Sequence, residues 1–285
     1  MSTVKARGKV KDNSEKIDGD NARFWSEPCG IAAFDRFKDP VSKQIDFDSY
    51  DKWFWETYPY LLSYLNELDL EGRSVLEVGI GMGTVSRYLV ARSASLTCLD
   101  IAPGAINFVK SSIGKSKQTN FVCESILNHN FKKKFDVVIA IGSLHHTGDL
   151  EKSLMKVEDL TNADGTLLIM VYFAFNSRRV FGHPLRSFKE IWLTRRSGSR
   201  KQLIFEEKDE ILRASIDANR SGDAAPYTAF SSRKLFSNRP SLNYAVQLEN
   251  FHAIPFLHRF INRSLTLKWF SKYFGCDIYA KGRKN

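Results

Sequence analysis

The sequence predicts an α/β fold: a doubly wound, mostly parallel sheet with helices on both faces. Short apolar segments alternate with helical segments about every 20–25 residues between positions 74 and 173. A glycine-rich turn holding Gly79, Gly81 and Gly83 follows the first apolar segment, and the acid Asp100 ends the second. Strand, tight turn, helix and strand in this order are typical of sheets that bind a ligand at the carboxyl ends of their strands.

The N-terminal part of the chain is predicted to contain a tail and two helices. Residues 1–21 are polar and basic, so we expect them to form a disordered tail. Residues 22–72 follow as an N-terminal segment, in which apolar residues recur at helical spacing over 47–70. Pro59 divides that stretch into two helices, because proline interrupts a helix interior.

The core is predicted over residues 73–175. Strands are expected at 74–78, 96–99, 120–123, 135–141 and 166–173, and helices are expected to begin at Thr84, Pro103 and near Leu150. The segment over 135–141 is almost wholly apolar, as a parallel strand buried on both faces requires. These elements supply the alternation from which the fold class is predicted.

The C-terminal part is predicted to hold an insertion and two closing strands. Residues 176–240 are Arg-rich in places, with a helical piece over 206–219 and no evident sheet strand, and we interpret them as an insertion on the substrate side. Residues 217–233 are a polar loop able to bond a polyhydroxy molecule, or a long structural connection. Closing strands are expected at 242–248 and 276–281, within residues 241–285.

Composition and charge limit the functional class. The 285 residues are 43% hydrophobic and 26% charged, an ordinary globular balance. The four cysteines are scattered, without metal-ligand spacing, and the N-terminus has no apolar segment, so a reduced, cytoplasmic protein without a metal site is expected. The longest apolar run, over 167–175, is too short to span a bilayer. A net charge of +10 favours anionic partners, nucleic acid included, or only aids solubility.

The glycine-rich turn indicates a cofactor that contains adenosine. Its pattern is Glu77-x-Gly79-x-Gly81-x-Gly83. No phosphate-binding loop is present, and a dinucleotide fingerprint would need glycine where Thr84 stands. Asp100 lies 21 residues after Gly79, close to the spacing at which an acid meets a ribose hydroxyl.

This pattern resembles the first motif of the class I S-adenosylmethionine-dependent methyltransferases. The resemblance implies a Rossmann-like sheet of seven strands with the last one antiparallel. It also implies S-adenosyl-L-methionine as cofactor, with Glu77 near its amino-acid end and Asp100, next to Ile101, at its ribose. Family members commonly fold an N-terminal segment over the cofactor as a lid, a role we assign to the irregular segment around Trp25.

The adenine end departs from the family pattern. The acid that normally follows the third strand would stand at position 125, which is Ser125 here, and Glu124 precedes it. We expect Glu124 or Ser125 to bond the adenine amino group.

Two adjacent histidines are the candidates for chemistry. His145 and His146 follow the fourth strand, as in many small-molecule and sugar methyltransferases that this sequence resembles. Methyl transfer needs alignment of donor and acceptor, and an oxygen or nitrogen acceptor can also need a base. Neighbouring side chains diverge, so we expect only one to face the acceptor and favour His146. Packing or cofactor contact without proton transfer is the alternative.

These observations predict a methyltransferase that acts on a hydroxyl or amine of a small polar acceptor, such as a sugar or a natural-product intermediate. The motif that DNA and RNA amine methylases carry after the fourth strand is absent, which counts against nucleic-acid bases. Two alternatives stay open: an RNA or protein methyltransferase, favoured by the net charge, and a cofactor-binding scaffold that has lost its chemistry.

Overall fold

The computed structural model describes most of the chain. The described residues are 16–26, 35–39, 42, 44–92, 95–114, 118–177, 180, 184–196, 202–205, 227–230, 236, 239, 242–251 and 263–285.

Helices occur throughout the described part, and several of them pack against strands. They are α1 (16–25), α2 (Phe47–Thr57), α3 (Pro59–Asn66), α4 (Thr84–Val90), α5 (Pro103–Ile113), α6 (Leu150–Leu160), α7 (Pro184–Arg196) and α8 (Arg263–Phe274), with 3-10 turns at Asp35–Phe37 and Leu144–His146. Pro59 and Pro103 each stand at the first position of a helix, where a missing N–H costs nothing. Asp46 and Asp149 cap α2 and α6 by accepting backbone N–H groups.

The strands form one large sheet and one small ribbon. They are β1 (Ser74–Val78), β2 (Ser95–Asp100), β3 (Thr119–Cys123), β4 (Phe135–Ile141), β5 (Thr161–Tyr172), β6 (Gln202–Phe205), β7 (Tyr227–Phe230), β8 (Leu242–Glu249) and β9 (Asp277–Lys284). The large sheet has seven strands in the order β3-β2-β1-β4-β5-β9-β8, and β6 pairs with β7.

Strand direction in the large sheet confirms the predicted fold class. β1 to β5 pair in parallel, and β9 is antiparallel to both β5 and β8. The sheet is therefore doubly wound and mostly parallel, with an antiparallel last strand. The carboxyl ends of β1 to β5 share one edge with the start of β9, because β9 runs in the opposite direction.

Burial explains why the central strands are so apolar. β1 contributes Val75 and Leu76 and β4 contributes Val138 and Ile139, and all four side chains are fully buried. Two apolar clusters cover the two faces of the sheet, one with Leu76 and Val138 and the other with Val75 and Ile139. Removing apolar surface from water on both faces holds the strands in place.

The N-terminal helix corrects one prediction. Residues 16–25 form α1, so the expected disorder up to about Asn21 is wrong for residues 16–21, and Trp25 is helical rather than irregular. Polar composition suggested a solvated tail, but Asp18 and Asn21 are buried against the rest of the fold, which compensates for their polarity with hydrogen bonds.

Two further differences concern the C-terminal half. β5 begins at Thr161 rather than 166, because Thr161 pairs with Phe135 across an irregular register. The insertion contains β6 and β7, where no strand is expected. These strands are separated by 21 residues without a tight-turn signal, so the sequence does not show their pairing. The helical piece predicted over 206–219 lies outside the described residues.

None of the helices over the described ranges combines the length and the apolar character that crossing a membrane requires.

Candidate functional site

A deep cavity of about 330 Å³ opens at the carboxyl edge of the large sheet. Its wall brings together the turn after β1, the ends of β2, β4 and β5, the helix α1 and the start of β9. Open parallel sheets bind ligands at this place, where the strand order changes direction: β2 and β3 lie on one side of β1, and β4 and β5 lie on the other. Eight of the predicted cofactor residues line the cavity together with Trp25: Glu77, Gly79, Gly81, Gly83, Asp100, Ile101, Glu124 and Ser125.

The glycines of the turn are needed for different physical reasons. All three have positive φ, which favours glycine. A Cβ on Gly79 would lie 2.2 Å from the Cβ of Ser143, and a Cβ on Gly83 would lie 2.9 Å from Val109. A Cβ on Gly81 would meet no protein atom within 4 Å. Close approach of the turn to Ser143 therefore explains Gly79, whereas Gly81 leaves backbone open to the cavity.

Asp100 organises the turn as well as lining the cavity. Its Oδ2 accepts the backbone N–H of Ile80 at 2.8 Å, and its Oδ1 accepts that of Ala102 at 2.8 Å. Burial raises the pKa of the Asp100 carboxyl, and backbone hydrogen bonds, those to Ala102 and Ile80 first, act in the opposite direction. The backbone N–H groups of Gly81 and Ile101 also stabilise this carboxylate, which faces the cavity at the end of β2.

Glu77 is a buried acid with one strong partner. It is 3% exposed, and its Oε2 accepts the Ser86 hydroxyl at 2.6 Å. Burial raises its pKa to about 8, against the lowering effect of that hydrogen bond. A cation brought next to Glu77 would favour the charged carboxylate, so this end of the cavity suits a positively charged group.

The raised pKa predicts a pH-dependent stability. The unfolded chain loses the Glu77 proton near 4.5, whereas the folded chain keeps it up to about 8. Between these values the folded state binds more protons, so the contribution of Glu77 to the free energy of unfolding falls as pH rises. Glu77→Gln removes that dependence. Urea unfolding at pH 5.5 and 8.5 should show the variant gaining stability relative to wild type at the higher pH. An equal difference at both pH values contradicts the assignment.

The N-terminal helix α1 packs directly onto the cavity. Asn21 donates to the His146 carbonyl oxygen at 2.6 Å, and its Oδ1 accepts the Trp25 indole N–H at 3.0 Å. Asp18 accepts the Gly148 N–H at 3.1 Å and the Ser125 hydroxyl. A Cβ on Gly104, in the first turn of α5, would lie 2.0 Å from the Ser26 carbonyl oxygen. These contacts place the N-terminal segment over the cavity, and its role as a lid stays a prediction.

Glu124 and Ser125, the candidates for the adenine end, have different surroundings. The Ser125 hydroxyl bonds to Asp18, so a carboxylate reaches this position from α1 rather than from β3. Glu124 is partly exposed, and its carboxylate lies 2.5 Å from Nδ1 of His129. Both line the cavity, and which of them contacts adenine stays a prediction.

The two histidines do not diverge, because their rings lie 4.3 Å apart between centroids, but only His146 lines the described cavity wall. His146 is 5% exposed and lines the cavity, with its ring edge-on to Trp25 at 4.8 Å between centroids. His145 is fully buried, is absent from the described cavity wall, and packs against the Tyr172 ring at 4.0 Å. Burial, and then the proximity of His146, holds the pKa of His145 well below its usual range. The geometry therefore makes His146 the better candidate base, although its role stays a prediction.

The described cavity wall is acidic, in contrast to the chain as a whole. The net charge of the chain is +10. Among the described residues around the cavity there is no lysine or arginine, but there are five acids: Asp18, Glu77, Asp100, Glu124 and Asp277. Glu77, with a pKa of about 8, is largely protonated at neutral pH, and the charged acids among the other four attract cations and hydrogen-bond donors and repel anions.

Several polar residues of the described wall were not predicted from the sequence, among them Asp18, Asn21, Asn250 and Asp277. Asp18 and Asn21 lie in a segment whose composition indicated disorder, Asn250 lies just after the closing strand predicted at 242–248, and Asp277 lies inside the one predicted at 276–281. One signal for Asp277 was available: an antiparallel last strand begins at the edge where its parallel neighbours end, so an acid at its first position lies at the site. No comparable signal marks the others.

The middle of the chain matches the family model described as "Methyltransferase domain", over residues 76–169. Malonyl-[acyl-carrier protein] O-methyltransferase of Acetivibrio thermocellus is 31% identical over 148 residues, covering 50% of this chain and 48% of that protein. Ubiquinone biosynthesis O-methyltransferase of Glaesserella parasuis is 27% identical over 121 residues, covering 39% and 51%. The chain spans about half the length of these curated relatives.

Solved structures support the fold over a longer part of the chain. Magnesium protoporphyrin IX methyltransferase of Synechocystis, solved with bound S-adenosylhomocysteine, superposes with a TM-score of 0.52 and 13% identity over 94% of this chain and 100% of that one. An S-adenosylmethionine-dependent methyltransferase from Mesorhizobium loti gives a TM-score of 0.50 and 12% identity over 80% and 97%. At such identities these similarities concern the fold alone.

Proposed function

We propose that this chain, a member of the class I S-adenosylmethionine-dependent methyltransferases, binds S-adenosylmethionine in the cavity and methylates a hydroxyl or amine of a small polar acceptor. The observation that supports this most is that the glycine turn, Asp100 and Glu77 line the same cavity, whose described wall also carries further acids. The first three fit the cofactor, and the wall favours an acceptor that is not an anion.

The residues present fit an adenosine cofactor with a cationic amino-acid end. Backbone at Gly81 is open to the cavity, and the Asp100 carboxylate lines the cavity where a ribose diol would bind. Glu77, buried and with a raised pKa, is a suitable partner for an ammonium group. Asp18 and Ser125 supply oxygen acceptors at the end of β3 for an adenine amino group.

The protein has two tasks in the reaction. The bound cofactor would supply a methyl group already activated by a positively charged sulfur. Alignment of the acceptor with that methyl is the larger task, and the cavity walls provide it. Removal of a proton from the acceptor is the second, which we assign to His146 because it lines the cavity beside Trp25 and Tyr172.

The acidic wall also ranks the alternatives. A carboxylate or phosphate acceptor on the side of Asp277 would face that acid without a described cation in the cavity to balance it. This counts against RNA, whose binding depends on neutralising phosphates. It also counts against a free carboxylate as the methylated group.

A methyl-transfer screen tests the proposal. Purified protein is incubated with methyl-labelled S-adenosylmethionine and four groups of acceptors: sugars and polyols, primary amines, carboxylates, and RNA. We expect label in a sugar, polyol or amine and S-adenosylhomocysteine in equal amount. Transfer confined to RNA or carboxylates would contradict the acceptor class. Cofactor binding without transfer to any group would favour the scaffold alternative.

A further inference from the structure

Two buried polar side chains, Asn250 and Asp277, form a pair on the cavity wall opposite the glycine turn. Asn250 follows β8, and Asp277 begins β9. In the sheet order β9 lies three strands away from β1, which is roughly 14 Å at the usual spacing between strands. The pair is therefore separated from the residues assigned to the cofactor.

The geometry of the pair offers two oxygen acceptors to a ligand. Asn250 donates one Nδ2–H to Oδ2 of Asp277 at 2.7 Å, which holds the amide oxygen and the carboxylate side by side. Asp277 is 2% exposed and Asn250 is 8% exposed, and both line the cavity. Oδ1 of Asn250 is buried without a hydrogen-bond partner in the described part of the chain. A buried polar atom left in this way is an exception among native proteins and points to a missing donor.

The backbone holds the pair in place. Asn250 has a φ of 62°, a left-handed conformation that asparagine tolerates better than most residues. Its carbonyl oxygen accepts the Cys276 N–H at 3.2 Å, and the Cys276 carbonyl oxygen accepts the Phe173 N–H at 2.9 Å. The two side chains are thus fixed at the junction of β8, β5 and β9 by main-chain bonds rather than by loop packing.

The pair lies on the same side of the cavity as the candidate base. Asp277 pairs with Tyr172 in the register of β5 and β9. The ring of Tyr172 lies 5.9 Å from that of His146 between centroids. An acceptor molecule bound between the cofactor and Asp277 would therefore lie next to His146. A general base must lie this close to the proton that it removes.

We propose that Asn250 and Asp277 form an acceptor subsite that binds a hydrogen-bond donor group, with an ammonium group preferred to a hydroxyl. This inference rests on the proposed function and narrows its substrate class. A carboxylate and an amide oxygen side by side accept donors only, and the carboxylate adds attraction for positive charge. An anionic group would be repelled by the carboxylate of Asp277.

The test uses three probes of one shape that differ in charge: cyclohexylamine, cyclohexanol and cyclohexanecarboxylate. Binding to the full chain at pH 7 is measured by saturation-transfer NMR, with and without S-adenosylhomocysteine. In wild type we expect the amine to bind best and the carboxylate worst. Asp277→Asn should weaken amine binding at least ~10-fold, the loss expected for a charge-assisted hydrogen bond, and should abolish the preference over cyclohexanol.

Two further variants distinguish direct contact of the probes with the pair from a general change in charge or folding. Glu249→Gln removes the neighbouring acid, which is bonded to Tyr64 and lies outside the described cavity wall, and should leave the amine preference unchanged. Asn250→Gly keeps the left-handed backbone but removes the amide, and should weaken both donor probes. Circular dichroism confirms that each variant is folded.

The outcomes for this inference and for the proposed function are separate. If S-adenosylhomocysteine binds but the three probes bind equally well, or Asp277→Asn keeps the amine preference, the subsite is wrong and the proposed function stands. If S-adenosylhomocysteine does not bind while the amine preference depends on Asp277, the donor-binding subsite stands and the proposed function falls.

Discussion

Gly79→Ala should abolish measurable binding of S-adenosylhomocysteine and strongly destabilise the chain. The new Cβ would lie 2.2 Å from the Cβ of Ser143, and the backbone at this position has a φ of +79°, which alanine adopts only with strain. The overlap and the strain together should lower the free energy of unfolding by roughly 2–4 kcal/mol. The turn must then move, so the backbone of Gly81 is no longer placed to contact the bound ligand. Urea unfolding and calorimetric titration measure the two effects.

Gly72→Ala is the matched control for Gly79→Ala. Gly72 also has a left-handed backbone, with a φ of +67°, but a Cβ there would meet nothing within 4 Å and the residue does not line the described cavity. It should lower the free energy of unfolding by only ~1 kcal/mol and leave ligand affinity unchanged. Equal effects of the two substitutions would show that close approach to Ser143 is unimportant.

His146→Ala should lower turnover by ~10²–10⁴-fold while cofactor affinity stays nearly intact. His146 lines the cavity, whereas the glycine turn and Asp100 hold the cofactor without it. An imidazole acts as a base only when neutral, so wild-type turnover should rise with pH and level off, and this rise should vanish in the variant. Steady-state rates across pH, with an acceptor found by the screen, measure both effects.

His145→Ala provides the comparison for His146→Ala. His145 is fully buried against Tyr172, so its loss should leave a cavity and lower stability rather than remove a proton acceptor. The turnover of its folded fraction should keep the wild-type dependence on pH. If His146→Ala keeps wild-type turnover at every pH, alignment of donor and acceptor is the whole contribution of the protein, which an activated methyl donor tolerates.

The parts of the fold that the sequence predicts well are those with local signals. β1, the turn and β4 combine apolar runs with glycines whose backbone conformation few residues adopt, and the structure has all of them at or near their expected bounds. The same signals identify Gly79 and Asp100 as cavity residues, because turn and strand end at the same edge of a parallel sheet.

The parts that the sequence does not predict depend on distant contacts. α1 is stable because Asp18 and Asn21 form hydrogen bonds with Ser125 and His146, which lie more than 100 positions away in the sequence. The polar composition of this segment gives no sign of these bonds. Asn250 and Asp277 come together only when β8 and β9 pair. Hydrophobic periodicity reports which residues are buried, but it does not report which polar groups meet.

Calorimetric titration with S-adenosylhomocysteine tests the central claim most directly. We expect one binding site per chain in wild type. Asp100→Ala should weaken that affinity roughly 10- to 150-fold, since a hydrogen bond to a charged group contributes ~1.5–3 kcal/mol. Absence of binding to the folded wild-type chain, or an affinity that Asp100→Ala and Gly79→Ala both leave undiminished, would contradict the claim that this cavity holds the cofactor.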